Sequence, residues 1–470
     1  MNLKNIYINS PYFIKQLLVN IKAYLNNKKR YSKTYEIISK ELDDNLYKTY
    51  DEIKEYQKLK LKKLLLECFD FSVYYNNLFI ERNIDKEVID KDPIIVLNAM
   101  PFLEKQDRKE RVDDIINTNS LRKATTVTYT SGTTGTPTKN YLDNDSQAII
   151  FAIWARFHRM NGINKKDKHI RFSSNLVVNP NTKKQPYWIY NKIDNQLLMS
   201  VFHLKNENLL SYVKKIIEFS PRYIDGFPSA IYIIAKYIND HNIKLNVKLD
   251  GICTTAETLY ENQRYEIEKA FKCKVFNQYA SSEGSPFITE CKHGKMHLLE
   301  DTGVFEILNE NNEECKPGEL GRLVVTSFTN WKTPLIRYNI LDYALKSKDE
   351  IKCKCGSEFK YVDSIQGRSN DMLWTYEKGY ISGGIASAIK DIEGINKTQI
   401  IQSTPKNILI KIVRTENYKK SNEDKIILEL KKRMGNNISI DFEYVEDIEN
   451  AVSGKSKLLI RNFNIADYEK

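Results

Sequence analysis

The residues with the clearest capacity for chemistry form one loop, YTSGTTGTPTK at 129–139, which ends a β-branched run. It combines spaced glycines, several hydroxyls and a lysine, namely Thr130, Ser131, Gly132, Thr133, Thr134, Gly135, Thr136 and Lys139. Glycine lets backbone N–H groups approach a ligand closely, and N–H groups, hydroxyls and a lysine charge together suit phosphate oxygens. The Gly-Lys-Ser/Thr ending of a Walker A loop is missing, which disfavours a P-loop kinase or ATPase. The alternative is a polar surface loop.

A second group of residues has the donor atoms of a metal site. Cys291 and His297 flank a glycine-containing turn in CKHGKMH, and Cys353 and Cys355 form a tight pair in CKCG. If the two segments meet, three thiols and an imidazole can make a tetrahedral zinc site. The spacing is not the common Cys-x₂-Cys, so unrelated thiols and a surface histidine remain an equal alternative, and His293 is a competing fourth ligand.

Alternating strands and helices must position these groups. Runs such as TTVTYT (125–130) and KVFNQYA (274–280) alternate with helical SAIYIIAKYIND (229–240), which predicts an α/β architecture, and residues 32–70 are predicted to be helical. A β-like stretch at 321–328 is followed by a pattern that predicts a small α+β domain. This pattern consists of a helix from about Ile385, a strand NILIKIVRT, a helix EDKIILELKKRMG and a strand ISIDFEYV. We therefore expect a basic N-terminal extension (1–45), a large domain (46–368) and a small α+β C-terminal domain (369–470).

Composition narrows the class of protein. The chain has 470 residues, 41% of them hydrophobic and 28% charged, with seven scattered cysteines. This indicates a globular protein in a reducing compartment, and the absence of a signal sequence or a long apolar run predicts a cytoplasmic location. Of the net charge of +11, residues 1–40 contribute +7 from eight Lys and Arg against Glu36 alone. The remainder is nearly balanced, so nucleic-acid binding is not needed to explain the charge.

The extension contains an apolar stripe at helical spacing, followed by Lys28, Lys29 and Arg30. Its members are Phe13, Ile14, Leu17, Leu18, Ile21, Tyr24 and Leu25. Such stripes usually face the core of their own protein, and this is the favoured interpretation. The alternative is a helix that lies on an anionic membrane or docks on a membrane-bound partner.

Further along the chain, NQYASSEG (277–284) resembles, together with the 129–139 loop, motifs of the adenylate-forming enzymes, the superfamily of acyl-CoA synthetases, luciferases and adenylation domains. The resemblance implies that Tyr279 stacks on adenine beside Gln278, that Ser282 contacts the α-phosphate region and that Glu283 holds Mg²⁺. TTAET (254–258) is similar to the adenine-pocket segment of that superfamily, and it contributes Ala256 and Glu257. Here Ala280 and Ser282 replace the usual Gly and Thr.

Three later segments extend the resemblance. In PLIRYNILDYA (334–344), Asp342 matches the residue that binds the ribose hydroxyls, and in QGRSNDML (366–373), Arg368 matches a ribose or phosphate contact. Asn370 replaces the hinge aspartate, with Asp371 next to it, which leaves the pivot open. In SGKSKLLI (453–460), Lys455 directly follows Gly454, so it is preferred over Lys457 as the catalytic lysine, with an electrostatic role in adenylation.

Residues 50–79 resemble the helical start of phenylacetate–CoA ligases, and the extension and the length resemble the capsular polysaccharide biosynthesis proteins of that branch. Similar Cys/His pairs in part of the branch hold structural zinc. The resemblance implies an α/β fold with a large multi-subdomain adenylate-forming domain and a small mobile α+β C-terminal domain. It also implies ATP- and Mg²⁺-dependent activation of a small carboxylic acid, then transfer to CoA, a sugar or a carrier protein, by a monomer or homodimer. The alternatives are acyl transfer to a partner protein and a non-catalytic nucleotide-binding scaffold. IDGFPSAIY (224–232) is similar to an acyl-pocket segment, with Tyr223 and Phe227 as wall or core residues.

Overall fold

The fold is taken from a computed structural model, which describes residues 7–129, 138–348, 352–368, 373–377, 379–381, 385, 389, 392, 394–449, 457–463 and 465–468. The first part is helical up to residue 115. Its helices are α1 (Tyr12–Arg30), α2 (Lys33–Asn45), α3 (Tyr50–Phe71), α4 (Val73–Glu81), α5 (Lys86–Lys91), α6 (Pro93–Ala99), α7 (Lys105–Glu110) and α8 (Val112–Ile115). Helix α3 begins at a capping box in which Thr49 and Glu52 exchange hydrogen bonds, which fixes its first turn.

The rest of the large domain alternates strands with helices. A hairpin of β1 (Thr126–Tyr129) and β2 (Lys139–Leu142) precedes α9 (Asn144–Met160), and further helices are α10 (Asn206–Phe219), α11 (Pro228–Asp240) and α12 (Glu261–Phe271). The strands of the main sheet are β3 (His169–Ser173), β4 (Trp188–Asn191), β5 (Gln196–Ser200), β6 (Tyr223–Gly226), β7 (Gly251–Thr255), β8 (Val275–Ala280), β9 (Phe287–Glu290), β10 (Met296–Leu298), β11 (Gly303–Leu308), β12 (Leu320–Ser327), β13 (Tyr338–Lys346) and β14 (Tyr361–Arg368).

In the described residues these strands form one sheet of twelve, in the order β11-β12-β13-β14-β10-β9-β8-β7-β6-β3-β5-β4. Strands β5, β3, β6, β7 and β8 are parallel, and β8 to β14 pair antiparallel. Buried strands such as β6 and β7 are covered on both faces, as parallel strands require. One core lies between helices α3–α6 and the antiparallel half, and another between α10–α12 and the parallel half.

A smaller α+β unit follows. It contains a hairpin of β15 (Leu373–Thr375) and β16 (Gly379–Ile381), the strands β17 (Ile395–Thr404), β18 (Asn407–Arg414), β19 (Ser439–Tyr444) and β20 (Leu459–Arg461), and helix α13 (Asn422–Met434). Strands β17–β20 form a separate sheet in the order β19-β18-β17-β20. Apolar residues of α13, including Ile426 and Leu430, pack with Ile408, Ile410 and Ile412 of β18 in a core of their own. The α/β class with a small α+β C-terminal part is therefore confirmed.

Helix α1 contradicts the favoured interpretation of its apolar stripe. The helix lies along the edge strand β4 and against α9, but the residues it buries are Lys15 and Ala23, whereas Phe13 is 70% exposed and Leu17 59% exposed. The stripe therefore does not face the protein's own core. In the described residues, no helix is both long and apolar enough to span a bilayer.

Candidate active site

Tyr279 and Asp342 meet although they belong to different segments of the chain. The Tyr279 hydroxyl, at the carboxyl end of β8, donates a hydrogen bond to Asp342 Oδ2 on β13. These strands are four positions apart in the sheet, roughly 19 Å if the sheet were flat. The sheet must therefore curl between β8 and β13, and this curl brings the predicted adenine and ribose residues to one place.

Glu283 lies just beyond Tyr279, in the turn that follows β8. It is 5% exposed, and its Oε1 accepts a hydrogen bond of 3.4 Å from the Tyr338 hydroxyl. The next residue is held too, because the carbonyl of Gly284 accepts a hydrogen bond from the Thr329 hydroxyl. A buried carboxylate on a fixed turn suits a hard cation such as Mg²⁺, so these residues fit the predicted metal contact.

The strand next to β8 contributes the segment predicted for the adenine pocket. Ala256 follows β7 with a φ of +69°, a left-handed conformation that costs a non-glycine residue energy and is typical of functional sites. Glu257 Oε2 accepts a hydrogen bond of 3.2 Å from the Ser229 backbone N–H at the start of α11, where a carboxylate is favourable. Gln278, opposite Thr255 in the ladder, is 1% exposed, and within the described chain both of its amide atoms lack a hydrogen-bond partner.

The hairpin that carries the glycine-rich loop reaches the same turn. Tyr129 pairs with Lys139, which is exposed, at the base of the loop; residues 130–137, including the predicted contacts Thr130 to Thr136, lie outside the described residues. Asn140, fully buried on β2, donates through Nδ2 to the carbonyl of the exposed Ser282 over 3.2 Å. Strand β2 of the hairpin and the 277–284 motif are thus joined through one side chain.

Sequence reasoning missed Asn140 and the residue behind it. Arg108 of α7 is fully buried, donates from Nη2 to Asn140 Oδ1 over 2.9 Å and lies over the Tyr338 ring at 5.6 Å. Asn140 follows the loop directly, so its position was a usable signal. Arg108 stands in the charged run KQDRKER, which has the composition of a solvated helix, and nothing in that pattern predicts its burial.

The remaining predicted residues are only partly described. Asp342 and Arg368 stand opposite each other in the β13–β14 ladder, so the backbones of the two proposed ribose contacts are adjacent. Lys455, Asn370 and Asp371 lie outside the described residues. The competing Lys457 is described, and its carbonyl accepts a hydrogen bond of 3.2 Å from Gln399.

The two candidate acyl-pocket residues are packed in cores. Tyr223 is 2% exposed and stacks on the His169 ring at a centroid distance of 4.5 Å, with His158 on another side. Phe227 belongs to the core of the parallel half. Both contacts correspond to the core role that the sequence left open.

The Cys/His segments do meet. Cys291, His297, Cys353 and Cys355 place one ligand atom each within 4.8 Å of all the others. Cys291 Sγ and Cys353 Sγ are 3.7 Å apart, and Cys355 Sγ is 3.4 Å from His297 Nε2. His297 Nδ1 lies 2.9 Å from the carbonyl of Phe359, which turns Nε2 toward the thiols. His293 is exposed and is not part of the cluster.

Within this cluster, negative charge is favoured on one sulfur at the expense of another. Hydrogen bonds from Cys355 and His297 lower the pKa of the Cys291 thiol, against the opposing effect of burial. The hydrogen bond to Cys291 raises the pKa of the Cys355 thiol. A group of close thiols that already stabilises one thiolate is a favourable environment for a soft cation.

Comparison with known proteins places this geometry in a family. The chain is 34% identical to the protein CapK of Staphylococcus aureus over 98% of its own length and 99% of that protein. It belongs to the CapK family. Residues 373–462 also match the family model described as the CapK C-terminal domain.

The chain is also similar to ligases. This CapK member is 24% identical to a phenylacetate–coenzyme A ligase of Thermus thermophilus over 69% of the chain and 72% of that protein, which confirms the predicted branch. Its fold is that of 2-hydroxyisobutyryl-CoA ligase, solved in the postadenylation state in complex with R3-HIB-AMP. That likeness has a TM-score of 0.71 at 16% identity and covers 89% of this chain and 91% of the other.

Proposed function

We propose that this CapK-family protein is an adenylate-forming ligase that activates a carboxylic acid with ATP. The observation that carries the proposal is the hydrogen bond between Tyr279 and Asp342, with Glu283 buried in the adjoining turn. Residues matched to adenine, ribose and Mg²⁺ contacts come from separate segments and converge on one site. Phenylacetate–CoA ligase relatives support the same reaction class.

In the proposed reaction a carboxylate oxygen attacks the α-phosphorus of ATP. The bond from that phosphorus to the bridging oxygen breaks, and pyrophosphate leaves, so no proton has to be transferred. Tyr279 stacks on adenine beside Gln278, and Asp342 accepts from the ribose hydroxyls, with Arg368 opposite it. Glu283 would hold Mg²⁺, which when bound neutralises phosphate charge.

Lys139 and residues outside the described part complete the proposal. The 130–136 loop and Lys139 would cradle the phosphates, and Lys455 would stabilise charge that develops between the carboxylate and the α-phosphate. The small C-terminal domain would then turn near residue 370 to admit the acceptor, which we propose to be CoA, a sugar or a carrier protein. The family name favours a role in surface polysaccharide synthesis, and we propose that the protein carries it out in the cytoplasm.

Pyrophosphate release tests the reaction. Purified protein with ATP, Mg²⁺, hydroxylamine and a panel of carboxylic acids should release pyrophosphate with at least one acid, and added CoA should replace hydroxylamine if CoA is the acceptor. Lys455→Ala should reduce release by about a hundredfold or more with ATP binding retained. Lys457→Ala is the matched control and should remain active. ATP binding without release for any acid would instead support a nucleotide-binding scaffold.

A second proposal concerns the Cys/His cluster. We propose that Cys291, His297, Cys353 and Cys355 hold one structural Zn²⁺. Zinc–sulfur bonds of about 2.3 Å in a tetrahedron require sulfur atoms about 3.8 Å apart, and Cys291 and Cys353 are separated by 3.7 Å. The hydrogen bond from His297 to Phe359 is the outer contact that zinc-bound histidines usually make.

Metal analysis of untagged protein tests this site. We expect one zinc per chain, no zinc in Cys353→Ser/Cys355→Ser, and full zinc in the matched control Cys273→Ser, whose thiol lies outside the cluster. Chelation should lower the melting temperature of the wild type but not of the double variant. A chain purified without zinc that also fails to take it up would contradict the proposal.

A further inference from the structure

Helix α1 is attached to the protein by the side that buries Lys15 and Ala23, and two asparagines at the border of its apolar stripe add hydrogen bonds. Asn20 donates through Nδ2 to the Tyr190 carbonyl over 3.3 Å and accepts from the Lys192 backbone N–H over 2.8 Å. One heptad later, Asn27 donates to Asp194 Oδ1 over 2.6 Å. These bonds hold the helix against the edge strand β4 and the turn after it, so its rotation about its own axis is fixed.

The side of the helix that faces away from Lys15 and Ala23 forms a continuous apolar surface. Its members recur at helical spacing and are 39% to 70% exposed, namely Phe13, Leu17, Leu18, Ile21, Tyr24 and Leu25. Isolated exposed apolar residues are ordinary, but a contiguous set on one face of a fixed helix marks an interaction surface. We call this set the outer face of α1.

The charge around the outer face selects what can cover it. Lys22, Lys28 and Lys29 are on the same helix, and Lys28 lies over the Tyr24 ring at 4.7 Å. Residues 1–40 hold only one acidic side chain, Glu36, against eight basic ones. A second copy that packed through the same face would bring these lysines together, and like charges oppose such a symmetric contact.

We propose that the outer face of α1 binds an anionic lipid surface as an interfacial helix. Apolar and aromatic side chains would enter the boundary between headgroups and acyl chains, and the lysines would contact lipid phosphates, which is the arrangement of amphipathic helices that lie on membranes. Strand β4 is the last strand of the main sheet and β8 is five positions away, so a membrane beneath α1 leaves the Tyr279–Asp342 site uncovered. The inference does not depend on the proposed reaction.

Vesicle sedimentation with the full chain tests the proposal. The wild type should bind phosphatidylcholine vesicles that contain phosphatidylglycerol and bind pure phosphatidylcholine far less. Leu17→Glu/Ile21→Glu/Leu25→Glu should weaken binding at least about tenfold. The matched control Leu59→Glu/Ile80→Glu/Ile95→Glu makes the same charge change at exposed apolar residues of other helices and should bind the anionic vesicles far better than the outer-face variant.

The outer face is largely exposed in the chain itself, so the triple variant should keep its melting temperature. A single Leu17→Trp variant keeps the face apolar and gives a second readout, a blue shift of its added fluorescence on anionic vesicles. Equal vesicle binding by the outer-face and control variants, or no blue shift in the Leu17→Trp variant, would overturn the proposal. The proposal would also be overturned if neither the wild type nor the outer-face variant bound vesicles, and the wild type instead formed a dimer or a complex with an acidic protein that the variant could not form.

Discussion

Two arginines, Arg108 and Arg156, are both fully buried, but their surroundings differ. Arg156 of α9 makes a two-pronged ion pair with Asp301, at 2.6 and 2.9 Å, and donates a third bond to the Leu42 carbonyl. Arg108 of α7 has a neutral partner, Asn140, and its Nε and Nη1 have no hydrogen-bond partner among the residues that the structure describes.

A buried ion costs several kcal/mol unless a counter-charge and hydrogen bonds offset that cost. Arg156 has both, and it joins α2, α9 and the segment before β11, away from the predicted ligand contacts. Arg108 contacts Asn140 and Tyr338, the two side chains that hold Ser282 and Glu283. We infer that Arg108 lacks a counter-charge because a polyanionic substrate would supply one. Arg156 has its counter-charge within the protein because it serves only stability.

The same substitution at both positions tests this difference most strongly. Arg156→Met leaves the Asp301 carboxylate buried and unpaired, so we expect the free energy of unfolding to fall by about 3–5 kcal/mol. Arg108→Met leaves no buried counter-charge unpaired, and Asn140 Oδ1 still accepts a hydrogen bond from Asn330. The free energy of unfolding should therefore fall by about 1 kcal/mol or less. Urea unfolding of both variants measures this. Equal losses would show that Arg108 is a structural residue like Arg156.

Activity should reverse the order of the two variants. Without the positive charge of Arg108, the proposed nucleotide site would attract the triphosphate less, and we expect the KM for ATP to rise about tenfold, which corresponds to ~1.4 kcal/mol. Arg108→Lys keeps the charge and should recover part of the loss. Arg156→Met, assayed at a temperature where it is folded, should have a normal KM. A KM change in Arg156→Met as large as in Arg108→Met would mean that both act through the fold alone.

The sequence predicted the parts of the molecule in which chemistry and local pattern coincide. Period-two and helical patterns located β1, β8, α11 and α13 correctly, and the motif residues Tyr279 and Asp342 do meet. The metal cluster was predicted only as an even alternative, because spacing along a chain does not show whether residues 291 and 353 are neighbours in space.

Sequence-based prediction was wrong or incomplete where the surroundings of a residue in the fold, and not its type, determine its burial. Arg108 reads as one of several surface charges, since its burial depends on how α7 packs against β13. The apolar stripe of α1 has the period of a core helix. Asn20 and Asn27 nevertheless orient the helix, because they hydrogen-bond to the edge strand β4 and to the turn after it. An edge strand with unpaired backbone groups favours polar contacts, and no periodicity rule includes that preference.

Backbone strain gives the smallest and finest test of the same contrast. Leu341, directly before Asp342, has a φ of +68°, and Lys272, which ends α12 away from the site, has a φ of +52°. A non-glycine residue in the left-handed conformation costs about 1–2 kcal/mol, which replacement by glycine removes. Glycine also increases the entropy of the unfolded chain, and this offsets ~0.5–1 kcal/mol of the stabilisation. Leu341→Gly and Lys272→Gly should therefore each stabilise the fold by about 0.5 kcal/mol, measurable by urea unfolding.

The two glycine variants should differ in turnover. Leu341 holds the backbone that aims Asp342 at Tyr279, and a freer backbone at 341 should lower kcat/KM for ATP by about two- to fivefold, a few tenths to ~1 kcal/mol. Lys272→Gly should leave kcat/KM unchanged, because it holds no site residue. If Leu341→Gly gained stability at no loss of activity, strain next to Asp342 would be incidental. If it lost activity as expected, the strained backbone at Leu341 and the incompletely bonded Arg108 would both be costs in stability that the proposed nucleotide site uses, whereas the strain at Lys272 would serve no activity.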